Sequence, residues 1–314
     1  MSLKRVLLKN KTFLCISLSF FCIFYLLNSI TDVPTSKNCH CSPKQDENRK
    51  KTTDLDSLFS SKLIFIGGYA RSGTTLMRAI LDVHPDVSCG PETKIIPNFL
   101  DMLKDLNAKN DLSNAGFNES TIDRAAALFV HNILENHVRK AERLCAKDPE
   151  VINHIVFLNR LFPKAKFVFM VRDGRDVAYS LMNILEANKS NTFGQFKNYL
   201  YNWNKFNLNN YQMCERIGSE RCKIVKYERL VRKPKSTIME VADFLDLAWT
   251  NDFLKHNEFV GSKVVVSDTE WSSNQIKKAI YKSSLSAWKG KIIDYNEDAV
   301  KNMAPMLDIF GYEY

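Results

Sequence analysis

The sequence predicts an α/β fold, in which a P-loop-like parallel sheet is flanked by helices. Continuous apolar runs, typical of strands buried on both faces, alternate with helical patterns along the chain. The first such run leads into the glycine-rich turn 67–73 and then into a helix start. A second buried run, 166–171, is also followed by a turn and a helix. Ligands of such sheets bind beyond the carboxyl ends of the strands.

The individual elements follow from the spacing of apolar residues and from the turn residues between them. Short apolar runs predict strands at Leu63–Ile66, Lys166–Val171 and Lys223–Val225. Helical spacing predicts helices at Thr74–Leu81, Ser120–Arg143, Val151–Leu161, Gly174–Glu186, Thr192–Ile217 and Lys235–Leu245. The stripe of aromatic residues in the helix 192–217 is typical of core packing rather than of a cofactor site.

The N-terminal region carries the signature of a membrane anchor. Of the 314 residues, 45% are hydrophobic and 25% are charged, which suits one large domain with appendages. Residues 1–11 hold four cations and no acid, and 12–30 are uncharged and apolar. We therefore predict a cytoplasmic tail at 1–11, a transmembrane signal anchor at 12–30, a luminal stem at 31–60 and a globular domain at 61–314. A cleaved signal peptide is the alternative, but its apolar core would be shorter and a small-x-small site would follow.

This orientation predicts a single-pass type II protein with a luminal domain. A short, Phe-rich span fits the thinner Golgi membrane better than the plasma membrane. Four cysteines lie in the domain, and an even number in a luminal domain predicts two disulfides: Cys89, Cys145, Cys214 and Cys222. The last two are close enough in sequence to close a local loop. Asn118 and Asn188 begin glycosylation sequons.

The turn after the first strand predicts a phosphate site. Gly68 and Gly73 frame four residues, as in nucleotide-binding phosphate loops, but Thr74 occupies the position of their lysine. Backbone N–H groups of such a loop still bind phosphate. The loop therefore favours a nucleotide with one phosphate at its 5′ end, with Arg71 near the developing negative charge. A glycine-rich turn that binds no ligand is the structural alternative. A P-loop kinase is a further alternative, but both the lysine and the acidic metal ligand of such kinases are missing, which argues against it.

Several short motifs carry a family resemblance. The turn sequence Arg71–Leu76 is followed about a hundred residues later by Val171–Ser180, which contains Arg172, Asp173, Gly174, Arg175 and Ser180. This pair resembles the nucleotide-binding motifs of sulfotransferases. Narrower motifs resemble those of protein-tyrosine sulfotransferases; they begin at Arg71, Asp82, Cys89, Cys145 and Ala304. The resemblance covers about Leu63 to Tyr312 and also implies that Cys89 pairs with Cys145.

The resemblance implies an activity: transfer of a sulfuryl group from 3′-phosphoadenosine 5′-phosphosulfate to tyrosine hydroxyls in acidic contexts of secretory and membrane proteins, without a metal. It implies that Glu92 is the general base and that Arg71, Lys147 and Ser272 share in catalysis. Lys94 is expected to contact the substrate. The nucleotide-binding residues are expected to be Arg71, Ser72, Gly73, Thr74, Thr75, Arg172, Ser180, Tyr227, Ser272, Asn274, Gln275 and Lys278.

Each role has a structural alternative. Arg172 and Ser180 suit the 3′-phosphate, because a guanidinium offers a planar fork and a hydroxyl one more donor; instead, Arg172 could pair with Asp173 or Asp176. Lys147 could form a surface salt bridge. Glu92 could cap the segment that follows it or pair with Lys94. His84, in a turn that ends a helix, is expected to be structural.

The sequence also predicts the partners of the protein, and three of its residues depart from the family pattern. Of the net charge of +9, the flank of the predicted membrane span contributes +4, and the remaining +5 favours acidic protein substrates; no motif suggests nucleic acid. The Golgi membrane is the expected location, and a homodimer is compatible with the sequence. Ala287, Ile184 and Asn98 replace basic residues of the family pattern, which bears on nucleotide affinity and peptide preference. A carbohydrate sulfotransferase and a catalytically weak, membrane-anchored binding protein are the alternative functions.

Overall fold

The computed structural model describes residues 58–137, 139–186, 191–267 and 270–313. The predicted tail, membrane span and most of the stem lie outside the described residues, as does the sequon residue Asn188, so these predictions stay open. Within the ranges given, no helix combines the length and the apolarity needed to cross a membrane. Leu58, at the end of the predicted stem, is buried in the core of the domain.

The centre of the domain is a five-stranded parallel sheet with the order β2-β3-β1-β4-β5. The strands are β1 (Ile64–Gly68), β2 (Val87–Ser88), β3 (Arg143–Lys147), β4 (Lys166–Val171) and β5 (Cys222–Lys226). Ile66 of β1 pairs with Lys147 on one side and with Val168 on the other. Because the strands are parallel, the segments that follow β1, β3 and β4 all emerge at one edge of the sheet.

Helices cover both faces of this sheet. They are α1 (Thr74–Asp82), α2 (Ile95–Ala108), α3 (Asp111–Asn114), α4 (Glu119–His137), α5 (Ile155–Leu161), α6 (Gly174–Leu185), α7 (Phe193–Ile217), α8 (Tyr227–Arg232), α9 (Pro234–Phe244), α10 (Ser273–Ile276), α11 (Glu297–Met303) and α12 (Met306–Ile309). Two 3₁₀ helices span Pro149–His154 and Asn251–Phe259. Successive residues of a strand face opposite layers, so Phe65 belongs to one hydrophobic cluster and Ile64 and Ile66 to the other.

Most predicted elements are confirmed within two residues, including the aromatic core stripe, in which Phe196 and Trp203 are fully buried. One prediction is wrong: the helix expected to run from Ser120 to Arg143 ends at His137, and residues 143–147 form β3. The reason is non-local, because β3 is held between β1 and β2 by pairings that the local apolar pattern does not show. The helix predicted at Val151–Leu161 is a 3₁₀ helix up to His154 and α-helical from Ile155. Strand β2 and the helices α2, α3, α8, α10, α11 and α12 were not predicted.

Both predicted disulfides are present. Cys89 is bonded to Cys145, which links the segment after β2 to β3. Cys214 is bonded to Cys222, which links the end of α7 to β5 across eight residues. The first bond ties together the segments that carry Glu92 and Lys147, so it restrains both sides of the site described next.

Candidate active site

The turn between β1 and α1 has the backbone of a ligand-binding loop. Gly73 has a φ of 97°, and a Cβ atom there would lie 2.6 Å from the ring of Tyr227. A side chain at this position would therefore be strained and would also clash. Arg71, with a φ of 71°, is held in the left-handed region, which is uncommon for a residue with a side chain. The backbone thus presents the Arg71 guanidinium at the carboxyl edge of the sheet.

Arg71 brings together three residues that are far apart in sequence. Its Nε donates to the Ser180 hydroxyl at 3.1 Å, and its Nη1 donates to the Ser272 hydroxyl at 2.6 Å. Burial, followed by the proximity of Arg172, lowers the pKa of Arg71. The loop, the helix α6 and the segment before α10 therefore converge on one cation.

Arg172 lies directly after β4 and is buried. Its guanidinium donates to the backbone oxygens of Arg71 (3.1 Å) and Ser284 (2.7 Å), and it stacks 4.8 Å from the centre of the Tyr227 ring. In the described part of the chain, Arg172 Nε has no hydrogen-bond partner. Asp173 forms its ion pair with Arg175, and the Asp176 carboxylate accepts from the backbone N–H groups of Ser286 and Trp288. Neither acid is therefore a hydrogen-bonded partner of Arg172, although the charge of Arg172 lowers the pKa of Asp176 against the larger effect of burial.

These groups line a first cavity at the edge of the sheet. The predicted residues Arg71, Gly73, Thr75, Arg172, Ser180, Tyr227, Ser272, Gln275 and Lys278 all line it. So does Ala287, one of the departures from the family pattern. Three predicted residues are not part of this lining. The Ser72 side chain is fully buried beneath the loop, and Asn274 is exposed. Thr74 lines the neighbouring cavity.

Lys147, at the end of β3, is fully buried and surrounded by acids. Its Nζ donates to Glu92 at 2.9 Å and also donates to Glu270. The Thr75 hydroxyl lies 3.4 Å from the same nitrogen. Lys147 is therefore not a surface salt bridge, and it stands between α1 and the segment that carries Glu92. Glu92 pairs with Lys147 rather than with Lys94.

Glu270 is the central group of this network, and the sequence analysis missed it. It accepts from Arg78 at 3.0 Å and from the backbone N–H of Glu92 at 3.2 Å, in addition to Lys147. Burial acts to raise the pKa of Glu270, but Lys147 and Arg78 outweigh it, so that pKa lies below its ordinary value. The available signal was Arg78 itself, because an arginine on the buried side of a short helix needs an acidic partner.

A second cavity adjoins the first. Arg71, Thr75 and Ser272 line both cavities, and the second is also lined by Glu92, Lys94, Asp148, Glu150 and Trp271. The Trp271 side chain is 57% exposed, which makes it an aromatic surface at the mouth that the sequence analysis did not identify. The two cavities thus meet at Arg71 and Ser272, two of the residues expected to share in catalysis.

Three further predicted residues have clear positions. Lys94 is exposed, with a φ of 61°, and its backbone N–H donates to Asp148 at 3.0 Å. His84 is structural, as expected, because its ring bonds the backbone oxygen of Ala248 at 3.0 Å and stacks on Phe253. Asn118 is exposed at the start of α4, where its side chain accepts from the Thr121 N–H at 2.8 Å.

Asp148 makes stability depend on pH. Burial, reinforced by the charges of Glu92 and Glu270, raises its pKa from 3.8 to about 7. The folded state therefore binds this proton more tightly than the unfolded chain does, and the free energy of unfolding falls as pH rises from about 4 to about 7. Asp148→Asn should remove this loss, so that the variant gains a few kcal/mol over the parent between pH 5 and pH 8.

Denaturant unfolding of both proteins across this pH range measures the effect. Asp111→Asn, at an exposed position on α3, is the matched control for the loss of one carboxylate. The same pH slope in Asp148→Asn as in the parent would contradict the assignment.

Comparisons with known proteins agree with this geometry. A model of the sulfotransferase family matches residues 64–251. Protein-tyrosine sulfotransferase A of Caenorhabditis elegans is 37% identical over 81% of this chain and 68% of its own length. Protein-tyrosine sulfotransferase 2 of Gallus gallus is 38% identical over 80% of this chain and 69% of its own length. Protein-tyrosine sulfotransferase 1 of Danio rerio is 33% identical over 97% and 89%.

The solved structures extend the likeness to the fold. The sulfotransferase domain of the Synechococcus PCC 7002 olefin synthase matches with a TM-score of 0.58 and 21% identity, covering 81% of this chain and 95% of that domain. At this identity the likeness concerns the fold alone. The three sequence relatives are 33–38% identical to this chain over 80–97% of its length. The chain belongs to the protein-tyrosine sulfotransferase family and is a sulfotransferase.

Proposed function

We propose that this protein transfers a sulfuryl group from 3′-phosphoadenosine 5′-phosphosulfate to tyrosine hydroxyls in acidic segments of other proteins. One observation carries the proposal: the two cavities meet at Arg71, Thr75 and Ser272. The first cavity has the groups that bind a nucleotide, and the second has a carboxylate beside a buried lysine. A donor in the first and an acceptor in the second would have their reacting atoms at this junction.

The first cavity fits the donor nucleotide. The backbone N–H groups of the loop before α1 and of the first turn of that helix can bind a 5′-phosphate, so that no lysine is needed there. The Nε of Arg172, which no described residue hydrogen-bonds, is a buried charged donor, and such a group suits a second phosphate. Tyr227, which bonds Ser284 through its hydroxyl at 2.8 Å, offers its ring to the adenosine.

The 3′-phosphate role of Arg172 is directly testable. Arg172→Ala should weaken the binding of adenosine 3′,5′-bisphosphate by roughly 1.5–3 kcal/mol, the scale for a hydrogen bond to a charged group. Adenosine 5′-phosphate, which lacks the 3′ group, should bind almost as it does to the parent. Calorimetric titration of both nucleotides measures this, with Arg229→Ala on the exposed face of α8 as the control. Equal losses for both nucleotides would contradict the role.

The second cavity fits a tyrosine and its proton. A tyrosine hydroxyl has a pKa of about 10, so the proton must leave during attack. Glu92 takes it, while the new sulfur–oxygen bond forms and the bond from sulfur to the donor's phosphate oxygen breaks. Arg71, Lys147 and Ser272 stabilise the charge that develops on that departing oxygen.

Acidic substrates and a luminal location accompany this chemistry. Lys94 is exposed on the lining of the second cavity, which we call the acceptor cavity. There it can contact an acidic side chain next to the tyrosine. Asn98 replaces a basic residue of the family pattern, so acid dependence should be weaker at one flanking position. The two disulfides favour an oxidising compartment, in keeping with the predicted type II anchor in the Golgi membrane.

Transfer of radioactive sulfate from the donor nucleotide tests the function. The acceptors are a peptide with acidic residues around one tyrosine, the same peptide with phenylalanine, and an oligosaccharide. We expect label only in the tyrosine peptide. Label in the oligosaccharide alone would favour a carbohydrate sulfotransferase, and nucleotide binding with no transfer to any acceptor would favour a binding protein.

A further inference from the structure

A groove of about 700 Å³ lies beside the acceptor cavity and is not used by the chemistry above. Three elements contribute to both. On α2, Pro97 lines the cavity and Asp101, one turn later, lines the groove. In the 3₁₀ helix, Glu150 and Asn153 stand in the same relation, one turn apart. In the turn after β1, Ala70 lines the cavity and Tyr69, the residue before it, lines the groove. The groove therefore continues the acceptor cavity.

One wall of the groove is a polar face of α7. Its exposed residues are spaced alternately three and four apart, which places them along one side of the helix: Asn202, Lys205, Asn209, Gln212 and Arg216. From the first to the last, the helix rises about 21 Å. An extended chain covers that distance with about six residues. The groove thus has the length of a peptide segment rather than of a small molecule.

The lining has the chemistry for an acidic, extended chain. Side-chain amides each present a donor and an acceptor, the same pair that a peptide unit presents. Lys104, Lys205 and Arg216 are exposed cations. The one acidic residue of the lining, Asp101, lies 3.2 Å from His154. The balance of charge therefore favours an anionic ligand.

Asn210 supplies an independent sign of a ligand. It is fully buried and lines the groove, and its amide nitrogen donates to Asn153 at 2.8 Å and to the Phe206 backbone oxygen at 2.9 Å. Among the described residues, no group donates to its Oδ1. A buried amide oxygen without a donor is costly, and an N–H group of a bound chain would satisfy it.

We propose that this groove binds an extended acidic segment of the acceptor protein, about six residues long, that is continuous with the tyrosine in the acceptor cavity. The proposal rests on the proposed function and adds a recognition surface remote from the reacting atoms. It predicts that acceptors are chosen by acidic residues well beyond the immediate neighbours of the tyrosine.

Three peptides test it: a short acidic tyrosine peptide, the same peptide extended by eight acidic residues on each side, and one extended by eight Ser/Gly residues on each side. The variants are Lys205→Glu/Arg216→Glu in the groove and Lys140→Glu/Lys235→Glu at exposed positions outside it. Sulfation is measured as kcat/KM. Binding is measured by fluorescence anisotropy with phenylalanine versions of the peptides, which requires no chemistry.

The acidic extension should raise kcat/KM and binding by about five- to tenfold, the scale of a few exposed ion pairs. The groove variant should lose this gain, whereas the control variant should keep it. If the extended peptide is sulfated but the two variants behave alike, the groove proposal fails while the proposed function stands. If the phenylalanine peptide binds through the groove but no tyrosine is sulfated, the reverse holds.

Discussion

Glu92→Gln is expected to lower kcat by roughly 10²–10⁴-fold, the scale for a positioned general base. Glutamine keeps the shape and can still accept from Lys147, but it cannot take the tyrosine proton. Lys147 also retains Glu270 as a charged partner, so the melting temperature should stay near that of the parent. Affinity for adenosine 3′,5′-bisphosphate should be unchanged, because Glu92 lines only the acceptor cavity.

Steady-state kinetics, thermal melting and nucleotide titration on one preparation measure these three quantities. Glu150→Gln is the matched control, since it removes an exposed carboxylate from the same cavity. It should change the KM for an acidic peptide more than kcat. A near-normal kcat in Glu92→Gln would remove Glu92 from the mechanism. A lower melting temperature, with activity recovered in folded protein, would make the Lys147 ion pair its main role.

Glu270→Gln is expected to reduce both stability and turnover. The change leaves the buried cations Arg78 and Lys147 without their shared charged partner, although Asp82 and Glu92 remain within 4 Å of one or the other. Breaking a buried pair in this way costs about 3–5 kcal/mol. Turnover should fall at least about tenfold, because Lys147, whose ammonium lies 3.4 Å from the Thr75 hydroxyl at the junction of the two cavities, would no longer be held in place.

Denaturant unfolding and kcat per folded molecule measure the two effects, with the exposed Glu258→Gln as the control. A double-mutant cycle separates positioning from a merely structural role. If Glu270 acts through Lys147, then Glu270→Gln should lower kcat little further in a Lys147→Met background. Full additivity of the two losses would show that Glu270 acts on turnover by another route.

Local signals located the residues of the first cavity. Gly73 and Arg172 stand in a strand, turn and helix order whose geometry is set by neighbouring residues, so short motifs were sufficient to locate them. Ser180, Tyr227 and Gln275, which the family resemblance marked, line the first cavity. The side chains of Ser72 and Asn274 do not line it, because a motif specifies a backbone path more closely than the direction of each side chain.

Long-range contacts decided the rest. Glu270 meets Lys147 and Arg78 across 123 and 192 residues, and no local pattern marks such a partner. The aromatic spacing of α7 predicts only the face that packs in the core. The polar face of α7 lines the groove because α2 and the 3₁₀ helix Pro149–His154 lie beside it. Trp271 likewise lines the acceptor cavity because the fold brings its segment there, and no local pattern predicts that position.

By itself, the sequence determined the α/β class, the phosphate loop without a lysine, the family motifs and the cysteines of the two disulfides. These depend on periodicity and on residues close along the chain, which act through local backbone geometry. The tertiary structure alone decided that residues 143–147 form a strand, that Lys147 is buried between two carboxylates, and that two cavities meet at Arg71. These features arise when parallel strands bring distant segments to one edge of the sheet, where burial and charge act between residues that no local pattern relates.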